Sequence, residues 1–177
     1  MIIKNMATTW RHNEFVVHLG FAFMSAMKGK KARFATEEVA LVYEGNLGEE
    51  CCRLVDISLI KDKEYFAEST IEYFRFVQPD LFIFNHDNLY ITNKRELRVA
   101  GRPNIIVEVW SDGNLKYERQ YKQELYSTSP ITEHWYIEQD NNTVVCYKGK
   151  ERLPNQNIMN NLKTYDNIII NISHLAL

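Results

Sequence analysis

One short run of residues, Ile105–Trp110 (IIVEVW), constrains the fold of this chain more than any other. Five of its six residues are apolar, and the turn-forming residues Pro103 and Asn104 precede it. A continuous apolar run bounded by turn residues is typical of a central strand that is covered on both faces. We therefore expect a sheet with further layers packed on both of its sides.

The rest of the chain alternates helical periodicity with short β-rich runs, which we expect to form a mixed α/β (α+β) sheet flanked by helices in one domain, residues 1–177. We predict two helices: the first is capped by Asn13 and stops at Gly29, and the second covers Leu115–Tyr126. The predicted strands are Val39–Tyr43, Leu54–Ile60, Leu81–Phe84, Ile105–Trp110, His134–Glu138, Thr143–Tyr147 and Ile168–Ile172. Polar turns join strands 39–43 to 54–60 and 134–138 to 143–147, so we expect two hairpins. Lys61–Phe76 is interpreted as an irregular insertion.

Composition and cysteine content restrict the class of protein. The 177 residues suit one domain, and 45% hydrophobic with 25% charged residues is typical of a soluble globular protein. The longest apolar stretch, Phe15–Met27, is shorter than the ~18 apolar residues that a membrane span needs. Three cysteines, an odd and low count, indicate a reducing cytosol. The sequence therefore predicts a cytoplasmic protein with no membrane partner.

Charge is nearly balanced overall but uneven along the chain. The formal net charge is −2, so the bulk charge gives no argument for nucleic-acid binding. Acidic residues outnumber basic ones between Glu37 and Glu72, and the reverse holds between Lys94 and Lys122. A polyanion, if one binds, should meet the second region; two solvated faces are the alternative.

Two carboxylates stand in unusual places for surface residues. Glu108 lies inside the apolar run, where burying a carboxylate is costly unless it is paired or bound to a metal. Asp80 opens the other predicted central strand, directly after Pro79. If the strands bring the two together, their oxygens suit Mg²⁺ or Mn²⁺. In the alternative, Asp80 caps a turn and Glu108 pairs with an arginine such as Arg102 or Arg119.

The chain resembles the Uma-type restriction-endonuclease-like family of bacterial proteins, within the PD-(D/E)XK nuclease superfamily, in three stretches: VQPDLFIF, GRPNIIVEVWS and ERQYKQELYSTSPITEHWYIE. The resemblance covers roughly Gln78–Tyr147 and, loosely, the first helix. A helical Lys122 four residues before Tyr126, followed by an aromatic strand with Trp135, is its most telling part. It implies a restriction-endonuclease-like core.

The resemblance also implies roles for individual residues. Asp80 and Glu108 would be the metal ligands, with the Val109 backbone carbonyl as a third and Glu14 on the first helix as an additional acid. Trp110 stands where the superfamily has lysine, and the resemblance implies that Lys122 supplies the missing charge. Lys122 would position or deprotonate the attacking water or stabilise negative charge on phosphorus.

Two of these residues have alternative interpretations. Lys122 can form a surface pair with Glu118 four residues earlier, worth only ~0.3–0.5 kcal/mol. Glu14 can be a solvated residue in the first turn of a helix. The aromatic residues Tyr117, Tyr121, Trp135 and Tyr136 are either core residues or platforms on which bases stack.

We therefore predict a metal-dependent endonuclease that uses Mg²⁺ or Mn²⁺ to hydrolyse phosphodiester bonds in DNA, with Asp80, Glu108 and Lys122 as catalytic residues. The first alternative is a catalytically degraded nuclease fold that binds nucleic acid or a protein partner, suggested by Trp110 and the negative net charge. The second is a structural subunit of a homo-oligomer such as a homodimer.

Overall fold

The computed structural model describes residues 2–3, 10–29, 32–36, 40–44, 53–54, 74–85, 89–93, 98–101, 103–110, 114–128 and 133–172. Its helices are α1 (Trp10–Ala26) and α2 (Lys116–Ser127), with a 3₁₀ turn at Gln139–Asn141. Its strands are β1 (Ile2–Ile3), β2 (Ala32–Thr36), β3 (Ala40–Glu44), β4 (Arg53–Leu54), β5 (Phe74–Val77), β6 (Leu81–Asn85), β7 (Leu89–Asn93), β8 (Arg98–Gly101), β9 (Ile105–Trp110), β10 (Glu133–Glu138), β11 (Thr143–Lys148), β12 (Glu151–Arg152), β13 (Gln156–Asn157), β14 (Leu162–Lys163) and β15 (Ile169–Ile170).

The sheet that carries the apolar strand β9 has the order β12-β11-β10-β9-β6-β2, with β13 beside β11. Within it, β9 pairs in parallel with β10 and antiparallel with β6, so β9 is central and the sheet is mixed. A second sheet has the order β1-β5-β3-β8-β7, with β4 on β3, and β14 pairs with β15. The predicted fold class, a mixed sheet with helices, is confirmed.

The two helices pack against opposite faces of this central sheet. Side chains of β9 alternate between the faces, as strand geometry requires. Ile105, Val107 and Val109 join a core with the apolar stripe of α1, and Ile106 and Trp110 join a core with α2. All six residues of β9 are buried, which confirms that the apolar run is a strand covered on both sides.

The first helix begins earlier than its sequence predicts. α1 starts at Trp10, so Asn13 and Glu14 lie inside it and Asn13 does not cap it. Trp10, Arg11 and His12 tolerate helical backbone, and nothing in their side chains marks a boundary before Asn13. The predicted end is confirmed: the backbone turns after Ala26, and Gly29 has φ +88°, a left-handed conformation that glycine adopts without steric cost.

Most predicted strands are found within two residues of their predicted bounds. The second hairpin is confirmed by antiparallel pairing from Glu133–Lys148 to Glu138–Thr143, and the first by the pairs of β3 with β4. Of Leu54–Ile60, residues 55–60 lie outside the described residues, as do residues 61–73 of the predicted insertion. The end of that insertion is not irregular, because Phe74–Val77 pairs with β1 and β3.

The structure also contains strands that the sequence pattern does not predict, β2, β7 and β8 among them. The predicted last strand shortens to Ile169–Ile170, which pairs with β14. Within the described part of the chain, no helix is long and apolar enough to cross a membrane.

Candidate functional site

The two carboxylates singled out in the sequence lie on the same face of the central sheet. Leu81 pairs with Val107 and Phe82 with Ile106 across the antiparallel β6–β9 pair. One further step of this register sets Asp80 opposite Glu108. Because side chains alternate along a strand, both point to the face of Phe82 and Ile106, which α2 covers. Both are fully buried, and the charge of Asp80 raises the pKa of Glu108.

The carboxylate of Asp80 contacts both the neighbouring strand β9 and helix α1. Its Oδ2 accepts a hydrogen bond of 2.6 Å from the backbone N–H of Val109, the residue after Glu108. Its Oδ1 lies 3.4 Å from Nε2 of His12, a buried residue near the start of α1. Asp80 therefore does more than cap a local turn: it joins the end of β9 to the helix on the other face.

Glu108 is held by two side chains of α2. Nζ of Lys122 donates to Oε2 at 2.7 Å, and the hydroxyl of Tyr126 donates to Oε1 at 2.6 Å. Lys122 also donates to the backbone carbonyl of Gln78 at 3.3 Å, next to the Pro79–Asp80 corner. Residues four apart on a helix lie on the same side, so one helical face supplies both donors.

Burial and neighbouring charges perturb the acid–base behaviour of this cluster. Desolvation raises the pKa of Glu108 to about 7; the Lys122 ammonium opposes this shift and the Asp80 charge adds to it. Burial alone would lower the pKa of Lys122, but the charges of Glu108 and Asp80 raise it. Burial and the Glu108 charge also raise the pKa of the Tyr126 hydroxyl. Lys122 therefore remains an ammonium and Tyr126 a neutral donor at neutral pH.

Helix α2 presents this face because its buried residues follow helical spacing. Glu118, Tyr121, Lys122, Leu125 and Tyr126 recur at i, i+3, i+4, i+7 and i+8. The apolar side chains of this stripe pack against the sheet, and the polar side chains therefore face the sheet as well. The N-cap of α2 is Leu115, whose apolar side chain makes no capping hydrogen bond.

The surface-pair interpretation of Lys122 is wrong, and Arg119 is not the partner of Glu108. Lys122 is 1% exposed and bonds to Glu108, so it does not form a surface pair with Glu118. Arg119 does not pair with Glu108, since its Nη1 donates to both oxygens of Glu138 at 3.2 Å. Arg102 lies outside the described residues.

Trp110 stands at the position where the sequence resemblance implies a lysine in related nucleases. It is 5% exposed and packs between the Tyr136 ring, at a centroid distance of 4.4 Å, and the Arg119 guanidinium, 4.9 Å from its ring. Trp135 and Tyr136 are likewise fully buried core residues, whereas Tyr117 is 65% exposed. Of the predicted aromatic platforms, only Tyr117 is placed where a base could stack.

The structure does not bring Glu14 to these carboxylates. Glu14 is exposed on α1, and two residues along an α-helix differ in direction by about 200°. The residue of α1 that reaches Asp80 is His12, which points the other way. A role for the Val109 carbonyl as a ligand remains a prediction; its N–H is what contacts Asp80.

His12 and Tyr126 take part in the site but were not assigned by sequence reasoning. The histidines show no metal-ligand spacing, so their spacing provided no reason to assign His12 a role in the site. A signal was available, since His12 stands three, four and seven residues before the buried Phe15, Val16 and Leu19 and so continues their stripe. For Tyr126 the signal is its place four residues after Lys122.

The donor set fits a hard divalent ion that keeps water ligands. Asp80 and Glu108 offer carboxylate oxygens, and Mg²⁺ is usually bound through one or two carboxylates together with waters. Among the described residues no group of three or more histidine, cysteine, aspartate or glutamate side chains could hold a metal ion.

A family model described as "putative restriction endonuclease" matches residues 1–165 of this chain. The chain belongs to the Uma2 family. The Uma2 match extends well beyond the Gln78–Tyr147 region that carries the sequence resemblance, and it confirms that resemblance. No curated protein matches the chain at a significant level.

Among solved structures, this Uma2 chain is similar to a protein described as a putative nuclease belonging to DUF820 from Anabaena variabilis. The two share 12% sequence identity, and the match covers 98% of this chain and 84% of the other with a TM-score of 0.62. At this identity the likeness establishes the fold, which is the restriction-endonuclease-like fold expected from the sequence.

Proposed function

We propose that this Uma2 protein is a Mg²⁺- or Mn²⁺-dependent endonuclease that hydrolyses phosphodiester bonds in DNA. The observation that carries the proposal is the contact of Glu108 with Lys122 at 2.7 Å, on the sheet face that Asp80 shares. Two buried carboxylates and an ammonium in one place are costly to maintain for stability alone. Such groups together are typical of a catalytic site.

Asp80 and Glu108 are the residues that would hold the cation, and both are kept in place by hydrogen bonds. Val109 N–H fixes one oxygen of Asp80, and Tyr126 fixes one oxygen of Glu108. When bound, a divalent ion polarises the phosphodiester, activates water and neutralises the leaving oxygen. Each carboxylate oxygen has two lone pairs, so an oxygen that accepts a hydrogen bond can still face a cation.

Lys122 is proposed to act as a donor of positive charge rather than as a base. The charges of Glu108 and Asp80 raise its pKa, so its Nζ keeps its proton at neutral pH. A buried ammonium in a site of low dielectric stabilises negative charge as it develops on phosphorus. It also orients a water molecule by donating to it. Trp110 contributes no charge, so this role falls to the helix.

The proposal is tested by incubating the purified protein with supercoiled plasmid, single-stranded DNA and branched DNA in Mg²⁺ or Mn²⁺. We expect cleavage that EDTA abolishes and that falls by about 100-fold or more in Asp80→Asn and Glu108→Gln. The matched control is Glu14→Gln, purified in the same way, because Glu14 is an exposed acid of α1. It should cleave like the wild type. A loss of cleavage as large as that of Glu108→Gln would show that Glu14 belongs to the catalytic site.

A binding module on the same fold is the second candidate, and the packing of Trp110 favours it. With a tryptophan buried between Arg119 and Tyr136, strand β9 provides no lysine for catalysis. This candidate predicts DNA or protein binding without cleavage, and no tight Mn²⁺ binding that depends on Glu108. A calorimetric Mn²⁺ titration of wild type and Glu108→Ala separates the two candidates, and sedimentation of the same samples measures the predicted homodimer.

We also propose that the protein acts in the cytosol. Cys146 is a free, buried thiol, as expected where disulfides do not persist. Burial raises the pKa of this thiol to about 12, so it is protonated and unreactive at neutral pH.

A further inference from the structure

Glu118 is a buried acid whose partner is not apparent. The residue is 9% exposed, and its Oε1 is a fully buried atom that accepts no hydrogen bond from the described residues. A buried carboxylate oxygen without a donor loses the hydration free energy that it has in water. Buried polar atoms are paired in the great majority of proteins, so an unpaired one requires an explanation.

The position of Glu118 points to Lys122 as its partner. Both residues belong to the stripe of α2 that faces the sheet, and Glu118 lies one turn nearer the helix N-terminus. Side chains on a helix lean towards its N-terminus, so the long chain of Lys122 leans towards the turn of Glu118. The charge of Glu118 already acts on Lys122, whose pKa it helps to raise.

Lys122 instead donates to Oε2 of Glu108 and to the carbonyl of Gln78. A cation bound at Oε2 of Glu108 would share this oxygen with the ammonium, and two positive charges close to one oxygen repel each other. A buried ammonium that loses its partner is strongly destabilised, so it needs another anion within reach. Among the described residues, Glu118 meets that need with an oxygen that accepts no other hydrogen bond.

We propose that Glu118 is a positioning residue that receives the Lys122 ammonium when a divalent cation engages Glu108. The inference rests on the proposed function, since it requires Glu108 to bind a cation. Lys122 then turns between two acids, Glu108 on the sheet and Glu118 on its own helix. It remains charged and inside the site in both positions, where it faces the substrate.

The test measures Mn²⁺ affinity without DNA, by calorimetry and by electron paramagnetic resonance, for wild type, Glu118→Gln, Lys122→Met and the double variant. Glu118→Gln should weaken Mn²⁺ binding about tenfold, as loss of a residue that supports metal ligands typically does. In the Lys122→Met background the same change should have less than about a twofold effect, because the ammonium that needs Glu118 is gone. Glu124→Gln, an exposed acid of the same helix, is the control and should bind Mn²⁺ like the wild type.

Each outcome decides a different point. Equal weakening by Glu118→Gln with and without Lys122 would mean that Glu118 acts on the cation directly, and would overturn the inference. Unchanged affinity in Glu118→Gln, with tight binding in the wild type, would overturn it and leave the proposed function standing. Absence of Mn²⁺ binding in the wild type would remove both.

A second measurement covers the case in which Glu118→Gln does not fold. A crystal structure of the wild-type protein with Mn²⁺ should place Nζ of Lys122 within hydrogen-bond distance of Oε1 of Glu118. If Nζ still donates to Oε2 of Glu108 beside the bound ion, the inference is wrong. Glu118→Asp, which keeps the charge on a shorter chain, should lose less Mn²⁺ affinity than Glu118→Gln.

Discussion

The Lys122 ammonium lies 2.7 Å from Oε2 of Glu108, with both side chains almost completely buried. An isolated charge in such a place costs several kcal/mol, so each residue depends on the other. Glu108 is supplied by the centre of a strand and Lys122 by the helix that covers it. The pair therefore joins the sheet to α2 and places a cation next to a carboxylate.

Replacing Lys122 by methionine should destabilise the protein in a pH-dependent way. Without the ammonium, the pKa of Glu108 should rise beyond about 7, against 4.5 for an unperturbed glutamate. When the pKa of a carboxyl is higher in the folded chain than in the unfolded chain, its contribution to stability is complete below the unfolded-state pKa. This contribution is lost as the pH rises through the folded-state pKa. The cost of Lys122→Met should thus be about 3 kcal/mol at pH 8.5 and smaller at pH 5, measured by urea unfolding.

Lys116→Met serves as the control for this prediction, since Lys116 is exposed on the same helix. Its effect should be small at both values of pH. A cost for Lys122→Met that is the same at pH 5 and pH 8.5 would contradict a charged Glu108 as the source of the instability.

Replacing Tyr126 by phenylalanine should remove one hydrogen bond and leave Oε1 of Glu108 without its donor. The hydroxyl donates to this buried oxygen at 2.6 Å, so its loss should cost about 1–3 kcal/mol in the free energy of unfolding. Chemical denaturation measures this cost. Tyr117→Phe on the same helix, where the side chain is 65% exposed, should change stability by less than about 0.5 kcal/mol. Equal stability of the two variants would show that Tyr126 does not hold Glu108.

His134 should make the protein less stable as the pH falls. Nε2 must donate to the carbonyl of Gly149, which only accepts, and Nδ1 lies 2.8 Å from the Tyr136 hydroxyl, from which it accepts when the ring is neutral. Burial lowers its pKa from 6.5 to about 4. As the pH falls, His134 is protonated in the unfolded chain before it is protonated in the folded chain. The free energy of unfolding therefore decreases progressively from pH 6.5 towards pH 4, by about 3 kcal/mol at most.

Urea unfolding between pH 7.5 and pH 4.5 measures this dependence in wild type and in His134→Gln. The variant should lose less stability over the interval, since it lacks the titrating ring. His18→Gln removes an exposed histidine of α1 and should keep the wild-type slope. The assignment fails if the slope is unchanged in His134→Gln.

Arg119 should stabilise the fold by covering Trp110 as well as by pairing with Glu138. Its guanidinium lies 4.9 Å from the Trp110 ring, and its Nη1 lies 3.2 Å from both carboxylate oxygens of Glu138. Removing the arginine loses both contacts, so Arg119→Ala should cost about 1–2 kcal/mol. Glu138→Ala loses the partly exposed ion pair and keeps the contact of Arg119 with Trp110, so it should cost less than about 1 kcal/mol. Thermal unfolding of the two variants tests this order, and a larger loss in Glu138→Ala would reverse it.

Sequence reasoning located the centre of the site because local rules decide it. An apolar run between turn residues predicts a central strand, and Ile105–Trp110 is found at those residues. A carboxylate inside such a run cannot be solvated, so Glu108 had to have a partner. Helical spacing likewise predicts that Lys122 and Tyr126 share one face of α2.

Other features depend on pairings between distant parts of the chain. The strands β2, β7 and β8 have weak local patterns, and each is held by its neighbour in a sheet. His12 is one scattered histidine among five until α1 crosses the sheet and brings it to Asp80. Glu118 is part of an ordinary charged helix until the sheet buries its face.

By itself, the sequence determined which residues form the central strand and the second helix, and that Glu108 would be buried, because periodicity and desolvation act over a few residues. Only the tertiary structure decided that Lys122 rather than Arg119 pairs with Glu108, that Asp80 stands opposite it, and that His12 rather than Glu14 reaches Asp80. Strand register and helix rotation set these contacts, since a shift of one residue turns a side chain to the other face.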